Sequence, residues 1–161
     1  MVAAALGVCA HARADTHYVN RANATPAPGY TNGWASAATN IQHALDWAGS
    51  NDVVLVASGI YDTGGRSNWP SGSSLTNRVV ITNYVTVMAV SANPDDTLIR
   101  GAADPLTTNG PAAVRCVYLQ DGSILAGFTL TNGHTMVTGT ADTYGGGVYA
   151  SSGAGGLVTN C

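Results

Sequence analysis

The sequence contains no glutamate and no lysine. Every acid is an aspartate and every base other than histidine is an arginine, and charged residues make up only 9% of the chain. An ordinary soluble domain carries roughly 25%. Glu and Lys are among the better helix formers, so losing both handicaps a mostly helical fold. The net charge of −3 offers no basic footprint, which sets nucleic acid and anionic membrane surfaces aside as partners. No apolar run reaches the ~18–20 residues needed to cross a bilayer, so no membrane span is expected. Gly145-Gly146-Gly147 lacks the following lysine and helix of a phosphate loop. A Gly-x-Ser-x-Gly nucleophile elbow and a zinc-spaced Cys/His cluster are missing too.

What the chain has instead is glycine (20 residues), threonine, asparagine and valine, the vocabulary of short strands joined by tight turns. A hydrophobic fraction of 45% suffices for a core and argues against disorder. The 161 residues suit one domain. Residues 1–14 read as an export signal: Val2 to Ala10 is apolar, and Ala12-Arg13-Ala14 is a small-x-small cleavage site before Asp15. The start of that segment carries no arginine or lysine. Val8 before Cys9 disfavours acylation of that cysteine. Removal of the leader takes Cys9 with it and leaves Cys116 and Cys161, whose separation alone does not pair them.

Residues 15–50 read as an N-terminal strand at His17-Tyr18-Val19-Asn20, a polar loop from Ala22 to Gly33, and a helix. Thr39 and Gln42 are spaced as a capping box; Ile41, Ala44, Leu45 and Ala48 follow at helical spacing, and Gly49 stands where a helix ends. This helix is short and apolar on one face, so it covers something. From residue 51 to 161 the texture is that of strands: Val53–Val56, Val79–Thr82, Val85–Val90, Thr97–Gly101, Cys116–Leu119, Ser123–Thr131, Gly147–Ala150 and Leu157–Thr159, all separated by turn residues.

A repeat organises them. Cys116-Val117-Tyr118-Leu119, a turn and Ser123 to Phe128 are matched by Gly147-Val148-Tyr149-Ala150, a turn and Gly156 to Cys161. Val79 to Val90 is a looser copy. With Val80, Val117 and Val148 aligned, the copies start 37 and 31 residues apart. That spacing suits one turn of a β-coil with loops of variable length, stacked to bury a continuous core.

Asp52-Val53-Val54-Leu55-Val56 to Gly59-Ile60-Tyr61, Gly127-Phe128-Thr129-Leu130-Thr131-Asn132-Gly133, and Gly145-Gly146-Gly147-Val148-Tyr149 resemble secreted bacterial β-helix repeat proteins of the pectin-lyase-like superfamily. The Thr39–Ala48 segment resembles the amphipathic helix that caps the first coil there. The resemblance spans residues 17–161 and implies a right-handed parallel β-helix, with further coils of the same chain beyond Cys161. The rival architecture is an antiparallel β-sandwich, which also shows many short strands. Continuous apolar runs rather than clean alternation favour the coil. In that alignment Cys116 and Cys161 fall on different faces, which argues against a disulfide.

Enzymes of the superfamily concentrate Asp, Arg, Lys or His on one face of successive coils, with Ca²⁺ in the lyases. No such set assembles here. Asp95-Asp96 after Pro94 reads as a turn, and Asp121-Gly122 likewise. Arg100 and Arg115 read as solvated flanks, and His134 lacks a following glycine. The catalytic residues are therefore unknown; no metal site and no cofactor is expected, Ca²⁺ entering only if the chain belongs to a lyase. Asn23-Ala24-Thr25 matches a glycosylation acceptor. Tyr30, Trp34 and Trp47 are expected to pack beside the cap helix. Trp69, in the polar run Asn68-Trp69-Pro70-Ser71-Gly72, is the candidate ligand-binding residue: an exposed indole stacks on sugar rings, whereas a buried one merely covers the first coil. The expectation is a secreted or cell-surface β-helix scaffold for a polysaccharide or cell-surface glycan. The alternative is the N-terminal part of a polysaccharide lyase or glycoside hydrolase acting on uronate-rich glycans.

Overall fold

The computed structural model describes residues 13–150, 153 and 155–161. The expected leader over 1–14 lies almost wholly outside the described residues. The elements in chain order are β1 (Thr16–Val19), α1 (Ile41–Leu45), β2 (Val53–Val56), β3 (Gly59–Tyr61), β4 (Thr76–Ile81), β5 (Thr86–Ala89), β6 (Thr97–Arg100), β7 (Val114–Leu119), β8 (Ile124–Ala126), β9 (Thr129–Thr131), β10 (Val148–Ala150) and β11 (Leu157–Thr159).

They form three sheets, ordered β1-β2-β5-β8-β11, β3-β6-β9 and β10-β7-β4. Every strand pairing is parallel, which overturns the sandwich alternative and makes the chain a parallel β-helix. Successive coils advance from Val53 to Thr86, Ile124 and Leu157, steps of 33, 38 and 33 residues. Each coil has three strands where the sequence repeat showed two, and the sheet β3-β6-β9 is the one left out. The aligned residue in β4 is Val79 rather than Val80. The slip matters because one residue exchanges the inward for the outward face.

The inward positions are apolar: Val54, Val56, Val87 and Leu125 from the first sheet, Tyr61 and Ile99 from the second, Val79, Ile81, Val117 and Leu119 from the third. Phe128, the only phenylalanine, is fully buried beside them. The turns that lead into the first sheet are stacked: 49–52 after the cap helix, and 82–85 and 120–123 after strands of the third sheet. They place Asn51 at φ 67°, Asn83 and Tyr84 at 59° and 61°, and Gly122 at 73° in the left-handed region.

The first coil is closed by Ala38, Ile41 and Ala44, all buried. The helix is shorter than its spacing predicts. Asn40, not Thr39, is the N-cap, accepting the His43 N–H. Gln42 makes no capping box. Its amide donates to Asp46 Oδ1 at 2.8 Å and its carbonyl accepts the Val80 N–H at 2.8 Å, which ties the cap to β4. Because the helix stops at Leu45, Trp47 falls beyond its apolar stripe and is 58% exposed, contrary to the packing expectation. Trp34 meets Tyr18 edge to face at 4.9 Å, and Tyr30 packs on the core. Cys116 and Cys161 are both free: Cys116 is buried in β7 and Cys161 is exposed after β11.

The N-terminal closure also carries a buried histidine–aspartate contact. His17 Nε2 lies 3.0 Å from Asp52 Oδ2, and its Nδ1 lies 2.7 Å from the Gly29 carbonyl. Burial pushes the Asp52 carboxyl up, but donors from the Asp15 and Gly49 N–H groups and from His17 outweigh it, and the net shift is downward. A carboxyl lowered by folding stabilises the native state fully above its unfolded pKa of ~3.9 and loses that contribution as pH falls through the depressed value. Acid unfolding should therefore steepen below about pH 4 in the wild type and flatten in Asp52→Asn. Urea midpoints measured across that interval test this; parallel curves for both proteins would refute it.

Candidate functional site

The outward face of the third sheet is built from a single rung. Val80, Tyr118 and Tyr149 are register partners, one residue past the inward Val79, Val117 and Val148, and side chains alternate across a strand. Tyr118 and Tyr149 stack with centroids 6.0 Å apart and planes at 27°. Trp69, from the loop joining β3 to β4, extends the row: its ring lies 5.8 Å from that of Tyr118, tilted by 50°. Asn77 holds this loop in place by donating from Nδ2 to the Trp69 carbonyl at 3.0 Å. Tyr118 is 4% exposed, so it supports its neighbours, while Trp69 and Tyr149 are half-buried and present an edge to solvent.

Arg115 locks the far end of the row. It is fully buried, not a solvated flank. Its guanidinium lies 4.8 Å from the Tyr149 centroid. It donates to Asn77 Oδ1 at 2.8 Å and to the carbonyls of Gly145, Ala141 and Tyr144 at 3.0, 2.7 and 2.9 Å. The reason lies in the loop from Gly133 to Gly147, whose carbonyls turn inward and need a donor fan that only arginine supplies. Burial pulls the Arg115 pKa down, with Asp142 and the two tyrosines opposing. Asp142 is itself buried and accepts the Ser73 hydroxyl and, at 3.1 Å, the Ser74 N–H. The β3–β4 and β9–β10 loops are thereby joined across the rung, leaving a polar cavity of about 200 Å³ between Ser71–Ser73 and Gly139–Asp142.

On the other side of the indole, Trp69 forms one wall of an open cleft of about 220 Å³. The cap helix supplies Gln42 and Leu45, the turn after it Asp46 and Ala48, the β3–β4 loop Arg66, and β4 with its turn Val80, Thr82 and Asn83. Arg66 Nη2 and Asp46 Oδ1 pair at 2.9 Å across the rim, with both side chains partly in solvent. The cleft thus combines an aromatic wall, a few aliphatic groups, one ion pair and two amides. That mixture suits a ligand with one C–H-rich face and a rim of hydroxyls.

The other residues singled out in the sequence are dispersed. Asp95 and Asp96 lie in a one-turn 3₁₀ helix, Asp96 accepting from Ser91 and Asp95 from Thr129. Asp121 begins the left-handed turn at Gly122. His134 Nδ1 faces Asn109 Oδ1 at 3.2 Å. The Asn23 amide nitrogen, where a glycan would attach, donates to the Ala37 and Ala35 carbonyls. Among the described residues no three His, Cys or Asp side chains converge as metal ligands. Sequence reasoning missed Tyr118 and Tyr149 as partners of Trp69, although the repeat had already placed one over the other. The Asp46–Arg66 pair carried no local signal.

Comparisons with protein-family models, with curated proteins and with solved structures match nothing. The fold defines the class: a parallel β-solenoid of about four turns.

Proposed function

We propose that this chain is a secreted or cell-surface β-helix scaffold that binds carbohydrate, with Trp69 as the stacking residue. The observation that carries the reading is the partly buried indole lining a cleft together with Asp46, Arg66 and Asn83. Sugar rings offer an apolar face to an aromatic plane, and their hydroxyls pair with carboxylate, guanidinium and amide groups. Tyr118 and Asn77 hold the indole in one orientation, which lowers the ordering cost of binding. The polysaccharide is a neutral or uronate-bearing cell-wall or surface glycan.

Affinity electrophoresis through gels containing candidate polysaccharides tests this. The wild type should be retarded by at least one of them. Trp69→Ala and Arg66→Ala should each weaken retardation by about tenfold, the loss of one well-placed contact, with thermal midpoints near the wild type. Equal retardation of wild type and Trp69→Ala would defeat the assignment. Release of unsaturated or reducing sugar from a retained polysaccharide would replace the scaffold by an enzyme.

A further inference from the structure

The Trp69 cleft is lined by two charged side chains, and they cancel. Among the described residues Asp46 and Arg66 are its only ionisable lining groups, and Arg66 Nη2 pairs with Asp46 Oδ1 at 2.9 Å. The same oxygen accepts the Gln42 amide N–H at 2.8 Å, while the Gln42 carbonyl accepts the Val80 N–H. Gln42 is buried and engaged at both ends of its amide, so it is a fixed post. Asp46 is held against that post and the guanidinium together. The carboxylate cannot swing away and leave Arg66 an isolated cation without giving up the Gln42 bond as well.

What remains for a ligand is hydrogen-bonding capacity of both kinds. Asp46 Oδ2, the Thr82 hydroxyl and the Asn83 amide have no hydrogen-bond partner among the described residues, nor do Nε and Nη1 of Arg66. A sugar hydroxyl both donates and accepts, so it can meet a free carboxylate oxygen and a guanidinium N–H at once. An ionised carboxylate or sulfate only accepts. Brought to Arg66, such a group also approaches Asp46, where attraction and repulsion of similar range offset each other. The chain's net charge of −3 adds to its exclusion. A protonated amino sugar meets the converse conflict at Arg66.

We infer that the ligand of this cleft is a neutral glycan, a hexose or pentose polymer without carboxylate or sulfate groups. This rests on the carbohydrate reading and narrows it, setting uronate-rich polymers aside.

The test is affinity electrophoresis of the whole chain at constant ionic strength. Mixed-linkage β-glucan, xyloglucan and galactomannan serve as neutral polymers, polygalacturonate and alginate as acidic ones. At least one neutral polymer should bind about tenfold tighter than either acidic polymer. Asp46→Asn, which leaves Arg66 uncancelled, should shift the acidic-to-neutral affinity ratio about tenfold towards the acidic polymers. Asp95→Asn removes the same charge from an exposed 3₁₀ turn outside the cleft and should keep the wild-type ratio. An acidic polymer that binds the wild type as tightly as any neutral one would overturn the inference, and loss of that binding in Trp69→Ala would leave the carbohydrate reading standing. An unchanged ratio in a folded Asp46→Asn protein, or an equal shift in Asp95→Asn, would overturn it too. Retardation in no gel would remove both the inference and the reading.

Discussion

Replacing Arg115 by methionine is expected to destabilise the protein by about 3–5 kcal/mol, the cost of breaking a buried charged network by removing one partner. Methionine fills much of the volume but gives nothing to Asn77 Oδ1 or to the carbonyls of Gly145, Ala141 and Tyr144. Those acceptors stay buried without donors, and Asp142 loses the cation nearest to it. Lysine should not rescue. A single ammonium cannot reach a planar fan of acceptors that spans β4 and the β9–β10 loop. In a chain of this size the thermal midpoint should drop by roughly 10 °C. Calorimetry measures it directly, and proteolysis should first cut between Gly133 and Gly147, the segment that Arg115 holds. A shift under ~0.5 kcal/mol, the range of an ordinary surface change, would show that the guanidinium is not structural.

Gly133→Ala is the second large effect, and its cause is steric. Gly101, Gly133 and Gly146 lie against one another where the second sheet turns into the third. A methyl group on Gly133 would collide with the carbonyl of Gly146 and come within 2.9 Å of Cys116 Sγ. Backbone cannot rotate away as a side chain can, so the coils must separate. The expected cost is about 3 kcal/mol or more, at the upper end of overpacking. Gly147→Ala is the matched control: a methyl there meets nothing within 4 Å. Its change should stay within about ±0.5 kcal/mol. Denaturant midpoints of the two variants decide the matter. Similar losses would mean that the glycines act through chain entropy alone, whereas a loss confined to Gly133 supports the close approach.

The sequence and the structure agree most where burial is continuous. Val53-Val54-Leu55-Val56 reads as a strand because apolar residues crowd it, and it is one. The Cys116–Phe128 and Gly147–Cys161 copies pair in the expected register, Val117 with Val148 and Leu125 with Val158. Short strands of mixed character were harder to read. Gly59–Tyr61 and Thr129–Thr131 are each three residues long, too short for a period to show. They become strands only because the coil above or below supplies hydrogen bonds. The helix is shorter than its pattern because Ala48 keeps helical spacing, and its N–H still bonds the Ala44 carbonyl at 3.1 Å, although the regular helix ends at Leu45.

The candidate site was legible only in part. Trp69 stood out because a large indole in a polar loop is unusual. Its platform did not, because Tyr118 and Tyr149 look like any core residues of an alternating strand until the coils are stacked. Arg115 misled for a related reason. An arginine is ordinarily solvated, and nothing in its neighbourhood announces that carbonyls of a loop some 26–30 residues downstream will converge on it. Cross-coil contacts of that kind arise from the solenoid pitch, and local pattern does not encode them.

The most direct test of carbohydrate binding at the Trp69 cleft is a ¹H–¹⁵N titration with an oligosaccharide of the retained polysaccharide. The chain has three tryptophans, so the indole N–H signals of Trp34, Trp47 and Trp69 can be followed separately. If sugar stacks in the cleft, the Trp69 indole shifts saturably together with the amides of Thr82 and Asn83, while Trp34 and Trp47 do not respond. A saturable shift of Trp34 or Trp47 with Trp69 unmoved, or no shift in any of the three, would contradict it.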